Sequence, residues 1–211
     1  MDPISSIALA SGLSWASGFR LYATVFIVGM LSKFDVIALP DSLDILTNPI
    51  VIGVSGILMV VEFLADKFPY IDSAWDSIQA FIRIPVGAML AMGAINSSDP
   101  LIAALVALIG GSITGLTHAT KASSRALINT SPEPVTNMVT SIGEDGLLLG
   151  GGWLALMHPA VFIGLLCVFV LVMLWLLPKV WRGLHSIFSF IKKPETAKEK
   201  SKVKTSTNLI E

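Results

Sequence analysis

The stretch "NPIVIGVSGILMVVEFLADK" (48–67) decides the fold class. After an Asn-Pro helix start, Ile50–Val61 contains no charged side chain, and the run stops on Glu62, with Asp66 and Lys67 close behind. Such a helix is apolar on every face, so it needs lipid or a buried core around it. Its length approaches the roughly 20 residues needed to cross a hydrocarbon core. Composition supports the lipid reading. The 211-residue chain is 54% hydrophobic and 14% charged, against roughly 25% charged in soluble domains, and its mean hydropathy is +0.77. A net charge of −1 supplies no field to attract nucleic acid, which is excluded as a partner. The single Cys167 lies inside an apolar run, so neither a disulfide within one chain nor a Cys-based metal site is expected. No cofactor and no metal are expected. The N-terminus has an acidic second residue and no basic n-region, so the first segment is expected to stay as a span rather than act as a signal.

Working outward, six apolar segments emerge: 5–32, 49–66, 84–97, 100–120, 136–157 and 159–178. The expectation is an all-α polytopic bundle of about six membrane segments over 1–178. Segment five carries Glu144, Asp145 and the Gly150–Gly152 run, and reads as a candidate re-entrant helix. Between segments two and three, Ile71, Trp75, Ile78 and Ile82 recur at helical spacing opposite Asp72, Asp76 and Gln79. This pattern predicts an amphipathic helix in the interface plane, with Pro85 turning the chain into segment three. A second interfacial helix is expected over 179–191, where an apolar face meets Lys179 and Arg182. The basic tail 192–211 lacks core-forming residues and is expected to be disordered. Lys and Arg placement puts the C-terminus on the cytoplasmic side, and six crossings then put the N-terminus there too. The similarity of 48–67 to "DPLIAALVALIGGSITGLTHATK" (99–121) suggests an internal repeat, as in many transporters, or chance likeness between two membrane helices.

Ionisable residues at membrane depth are functional candidates, because each costs about 2.5–3.5 kcal/mol or more to place there. Arg20 is flanked by apolar residues. It either snorkels at the surface or faces the bundle interior, where Glu62 is the best acidic partner. Glu62 and Asp66 share a helix face at i, i+4 spacing and need a cation or a proton between them. Arg20, Lys67 or Arg83 could supply it; Glu62, Asp66 and Lys67 equally fit an interfacial cluster that sets helix depth, and Asp72, Asp76 and Arg83 are most simply the wet face of the in-plane helix. In segment four, Gly111-xxx-Gly115 allows close helix approach. His118, Lys121 and Arg125 follow as an anion contact or as positive-inside anchors. Glu144 and Asp145 form a second acidic candidate. No hydrolase, zincin, P-loop or Rossmann signature occurs.

These residues also carry a resemblance. "ASGFRLYATVFIVGML" followed by "VEFLADKFPYIDSAWDSIQAFIRIPVGAML" resembles the DUF4126 family of bacterial multi-spanning membrane proteins. Its pattern falls on Ser17, Gly18, Arg20 and Tyr22, on Glu62, Ala65, Asp66, Lys67 and Pro69, on Asp72, Trp75 and Asp76, and on Arg83, Pro85 and Gly87. The resemblance implies a multi-pass protein of the bacterial inner membrane and assigns no catalytic role. The expected function is a small transporter or flippase-like protein. Its site would lie between the first three segments, with Arg20 and Glu62 at its core and Asp66, Lys67, Asp76 and Arg83 at its cytoplasmic mouth. A non-catalytic membrane scaffold or assembly factor is the alternative, and a lipid-modifying enzyme the third reading. Expected partners are the bilayer, anionic headgroups at the basic C-terminal region, and a second copy in a homo-oligomer.

Overall fold

The computed structural model describes residues 2–66, 69–128, 134–180 and Arg182. Among the described residues all secondary structure is helical: α1 (Pro3–Lys33), a 3-10 turn (Asp41–Thr47), α2 (Pro49–Ala65), α3 (Pro69–Ile95), α4 (Pro100–Ile128), α5 (Pro134–Met157) and α6 (Pro159–Val180). Four of these, α1, α3, α4 and α6, are long and apolar enough to cross a membrane, and the 3-10 turn with α2 makes a fifth if that pair, bent by 63°, counts as one span. The expected helical membrane bundle is what the fold shows.

Prolines and Asx caps start the helices. Asn48 accepts the Ile50 amide at 2.8 Å and Asp99 accepts the Leu101 amide at 2.8 Å, each satisfying one orphan donor of the first turn, with Pro next to the cap where its missing N–H costs nothing.

α1 passes the length test but does not run straight. Its backbone leaves helical geometry at Arg20 (φ −146°, ψ 92°). Leu9, Leu13 and Ala16 line the same cavity as Thr24, Val28 and Leu31. In a straight helix Leu9 and Leu31 would stand about 33 Å apart, at 1.5 Å per residue. The two arms, residues 3–19 and 21–33, are therefore folded back in a V with Arg20 at its apex. The re-entrant element expected in segment five is instead here. α5 is an unbroken helix, because its glycines keep their helical partners and only α1 has a packed apex to turn around.

The other helices are arranged about this V. α2 runs antiparallel to the second arm: Ile52 abuts Gly29 and Phe26 lies over Gly56. α3 runs antiparallel to the first arm, with Ser14 Oγ donating to the Gly87 carbonyl at 3.3 Å. α4 runs parallel to that arm, with Thr114 Oγ1 donating to the Ser14 carbonyl at 2.9 Å. Glycines allow this approach: a Cβ on Gly18 would lie 2.7 Å from the Thr114 carbonyl oxygen, and one on Gly87 would overlap the Thr114 side chain. On the opposite side, Trp15 meets Phe19, Phe162 and Phe169 edge-on at 5.2–6.4 Å, attaching α6 to α1.

α3 departs from the expected interfacial helix and turn. It continues through Pro85, even though an interior proline costs about 3 kcal/mol, because Arg83 and Gly87 on either side are held by tertiary contacts. Ile78, Phe81 and Ile82 are exposed while Gln79 and Arg83 are buried, so at these two positions the polar face meets the bundle and not water. The chain divides into units 1–174 and 175–211. In the second unit the Lys179 ammonium lies 3.2 Å from the Trp175 ring centroid and Arg182 Nε donates to the Pro178 carbonyl at 3.2 Å. The remainder of the expected 179–191 helix and the 192–211 tail lie outside the described residues.

Candidate functional site: a buried ion-pair cluster at the α1 apex

The bundle is inverted relative to a soluble protein. Ile50, Ile57, Phe81, Leu108 and Leu171 are exposed, while Arg20, Glu62, Asp66, Arg83, Lys121, Arg125 and Glu144 are all at most 5% exposed. A charged interior survives only if each member is paired, and here every helix from α1 to α5 supplies a member.

The apex explains the arrangement. The last carbonyls of the first arm have no helical partner beyond the break, and they carry the negative end of that arm's dipole. Cations from two other helices satisfy them. Arg83 Nη1 donates to the Gly18 and Phe19 carbonyls, both at 3.3 Å, and Lys121 Nζ donates to the Phe19 carbonyl at 3.3 Å. Thr24 Oγ1 donates to the Arg20 carbonyl at 2.7 Å. Non-helical backbone at membrane depth is tolerated when protein groups satisfy it in this way.

The expected Arg20–Glu62 pair does not form. Glu62 Oε1 accepts from Arg83 Nη2, while Arg20 holds Asp66 at 2.7 Å and Asp145 at 2.6 Å. The reason lies in the directions of the helices. α2 reaches the apex with its C-cap Asp66 level with Arg20, and α3 brings Arg83 across Glu62. Arg20 is 2% exposed, so it does not snorkel. Asp66 and Arg83 are 1% and 0% exposed, so neither sits at a mouth. Lys67 and the side chain of Asp76 lie outside the described residues.

The two sites expected as separate, the His118, Lys121 and Arg125 contact and the Glu144–Asp145 site, join this same cluster. Arg125 grips Glu144 with two nitrogens, at 3.2 and 3.0 Å, and donates to Ser141 Oγ at 2.8 Å and the Asp66 carbonyl at 3.4 Å. Lys121 lies 3.5 Å from Asp66 and 3.8 Å from Glu144. The anion met by Lys121 and Arg125 is thus the protein's own. His118 Nδ1 lies 3.2 Å from Arg83 Nη1. A guanidinium can only donate, so Nδ1 accepts and the ring proton sits on Nε2. Among the described residues, four cations (Arg20, Arg83, Lys121, Arg125) face four carboxylates (Glu62, Asp66, Glu144, Asp145), so their formal charges balance.

A family model, Domain of unknown function (DUF4126), matches residues 7–179. The chain belongs to the DUF4126 family. The match spans all five helices of the cluster, so the ion-pair arrangement of this DUF4126 chain lies wholly inside the family domain. No curated protein and no solved structure matches it.

Two polar features escaped the sequence reading. Gln79 Nε2 bonds the Tyr22 hydroxyl at 3.1 Å, and Ser141 supports Arg125. Both are ordinary residue types on helices already marked, and only the packing singles them out. Among the described residues no group of three or more His, Cys, Asp or Glu is placed to hold a metal ion. Beside the cluster, a cavity of about 390 Å3 is lined by Arg20, Met59, Phe63 and Asp145, and Asp145, its side chain 35% exposed, is the member of the cluster most open to the outside.

Proposed function

We propose that this protein is a small transporter or flippase-like protein in which the α1 apex and its ion pairs form the gate. The observation that carries the reading is the break at Arg20, where the carbonyls of Gly18 and Phe19 are held by side chains, those of Arg83 and Lys121, rather than by the helix itself. Discontinuous helices meeting at a polar site are the means by which many transporters bind and switch. The Glu62–Arg83 contact suits a switch. Glu62 holds Arg83 by one oxygen, and Oε2 has no hydrogen-bond partner among the described residues, so the two-pronged clamp that would lock the pair is missing.

Met59 lines the cavity beside Arg20 and reports on the gate without a known substrate. In a Cys167→Ser background, Met59→Cys in oriented vesicles should react with an impermeant maleimide from both sides of the membrane, and Asp66→Asn should change the ratio of the two rates. Labelling from one side only, unchanged by Asp66→Asn, would refute the gate and favour the scaffold reading.

The proposed location is the bacterial inner membrane, with the basic C-terminal region on the cytoplasmic side near anionic headgroups. The same-side placement of both termini rests on six crossings; we propose opposite sides, since an α1 that folds back on itself would remove one crossing.

A further inference from the structure

We propose that the cleft between the arms of α1 and α5 binds a zwitterionic, amine-headed phospholipid, with one acyl chain between the arms and the head on Arg20 and Asp145. This deepens the transport reading by naming what the cleft takes, and it is tested by binding alone, whether or not the gate moves.

Two cavities carry the argument. The first, about 330 Å3, runs between the arms and is lined by apolar side chains, with Thr24 the polar exception. It opens outward where Leu149, Trp153 and Met157 are exposed. The second is the 390 Å3 cavity beside Arg20, and the two share Ile27, Leu148 and Leu149. An apolar cleft thus lies next to a charged wall, with both cavities at volumes in the usual range for ligand sites, about 300–1,000 Å3.

The charge at that wall selects the head. Arg20 Nη2 meets Asp66 at 2.7 Å and its Nε meets Asp145 at 2.6 Å, the latter without good hydrogen-bond geometry, so the outer contact, to Asp145, is the one a ligand can exchange. Asp145 is the exposed half of the outer pair. A lone anion entering here would take Arg20 and strand Asp145, and a lone cation would take Asp145 and unbalance Arg20. Leaving either charge unpaired at membrane depth is costly, most of all the buried Arg20. A zwitterion replaces the pair with two new pairs, phosphate on Arg20 and ammonium on Asp145, and leaves the Arg20–Asp66 contact and the cluster's balance of formal charges intact. Phe63, with its ring centroid 6.0 Å from the Arg20 guanidinium carbon, walls the head site on the α2 side.

Gly152 supplies the control. It lines the apolar cavity, and a Cβ there would meet nothing within 4 Å, so Gly152→Phe is the substitution chosen to fill the cleft from a position with open space at its Cβ. The experiment is native mass spectrometry of the detergent-solubilised full chain, offered equimolar dioleoyl phosphatidylethanolamine, dioleoyl phosphatidylglycerol and dioleoylglycerol. The expected result is one retained phosphatidylethanolamine per chain, preferred about tenfold over either competitor, a factor worth about 1.4 kcal/mol. Asp145→Asn should erase the preference, and Gly152→Phe should abolish retention while thermal unfolding stays unchanged. Equal retention of phosphatidylglycerol or dioleoylglycerol by the wild type would overturn the head assignment. Retention undiminished in a folded Gly152→Phe protein would overturn the cleft as the binding site. Either result leaves the maleimide test of the gate standing.

Discussion

Glu62 is fully buried and ends an apolar run, and Arg83, equally buried, is its partner. Removing one partner of such a pair leaves an uncompensated charge, at a cost of about 3–5 kcal/mol. Glu62→Gln and Arg83→Gln should each destabilise the protein by that order. The double variant should lose clearly less than the sum, as read from thermal unfolding in detergent through a double-mutant cycle. Additive losses would show that the two side chains do not act as a pair. Sequence alone left Arg20 open between snorkelling and facing the interior, and singled out Glu62 as the deeper acid; both side chains are buried. Their pairing was not legible: with four cations and four carboxylates many pairings are open, and helix direction selects among them. Arg20 and Glu62 look like natural partners until α1 turns back at Arg20 and presents it to Asp66.

At the scale of elements, helix positions were legible and helix polarity was not. The periodicity of Ile71, Trp75, Ile78 and Ile82 against Asp72, Asp76 and Gln79 is real. The same period describes a helix wet on its polar face or one whose polar face meets a charged core, and for Gln79 and Arg83 the core is the answer. The break in α1 had a weak signal: segment one is too long for one span, and Gly18 and Arg20 sit near its middle. The similarity between 48–67 and 99–121 gains content here. α2 and α4 start with equivalent Asx-Pro caps, run in the same direction, and are each followed by an antiparallel helix. Their charges are reversed: acids on α2 meet a cation on α3, and cations on α4 meet an acid on α5. The glycines of α5 differ just as sharply. A Cβ on Gly151 would run into the Trp15 ring, whereas Gly150 and Gly152 face open space. Gly151→Ala should therefore destabilise by about 1–3 kcal/mol through overpacking. Gly150→Ala should be neutral or stabilise by up to about 1 kcal/mol through helix propensity, both measured as shifts in thermal unfolding.

Across the whole molecule, counting hydrophobic segments suggested an even number of crossings. A hairpin of two short arms has the same composition as one long span, so composition alone does not fix that count. With α1 folded back and α2 to α6 alternating in direction, the termini should lie on opposite faces of the membrane. In intact cells, a Ser5→Cys protein lacking Cys167 should react with an impermeant thiol reagent, and a fluorescent protein fused after Glu211 should fluoresce in the cytoplasm. Protection of the cysteine until the cells are opened would restore the six-crossing topology.

The balance of formal charges in the apex cluster has an electrical consequence. A transmembrane voltage acts on net displaced charge, at about 2.3 kcal/mol per elementary charge per 100 mV. Four cations moving together with four carboxylates carry none. A gate that shifts this cluster as a body moves without regard to the membrane's energisation, whereas one that pulls Arg20 alone away from Asp66 and Asp145 works against the field or is driven by it. Which of these ion pairs opens therefore decides how far the hairpin responds to voltage.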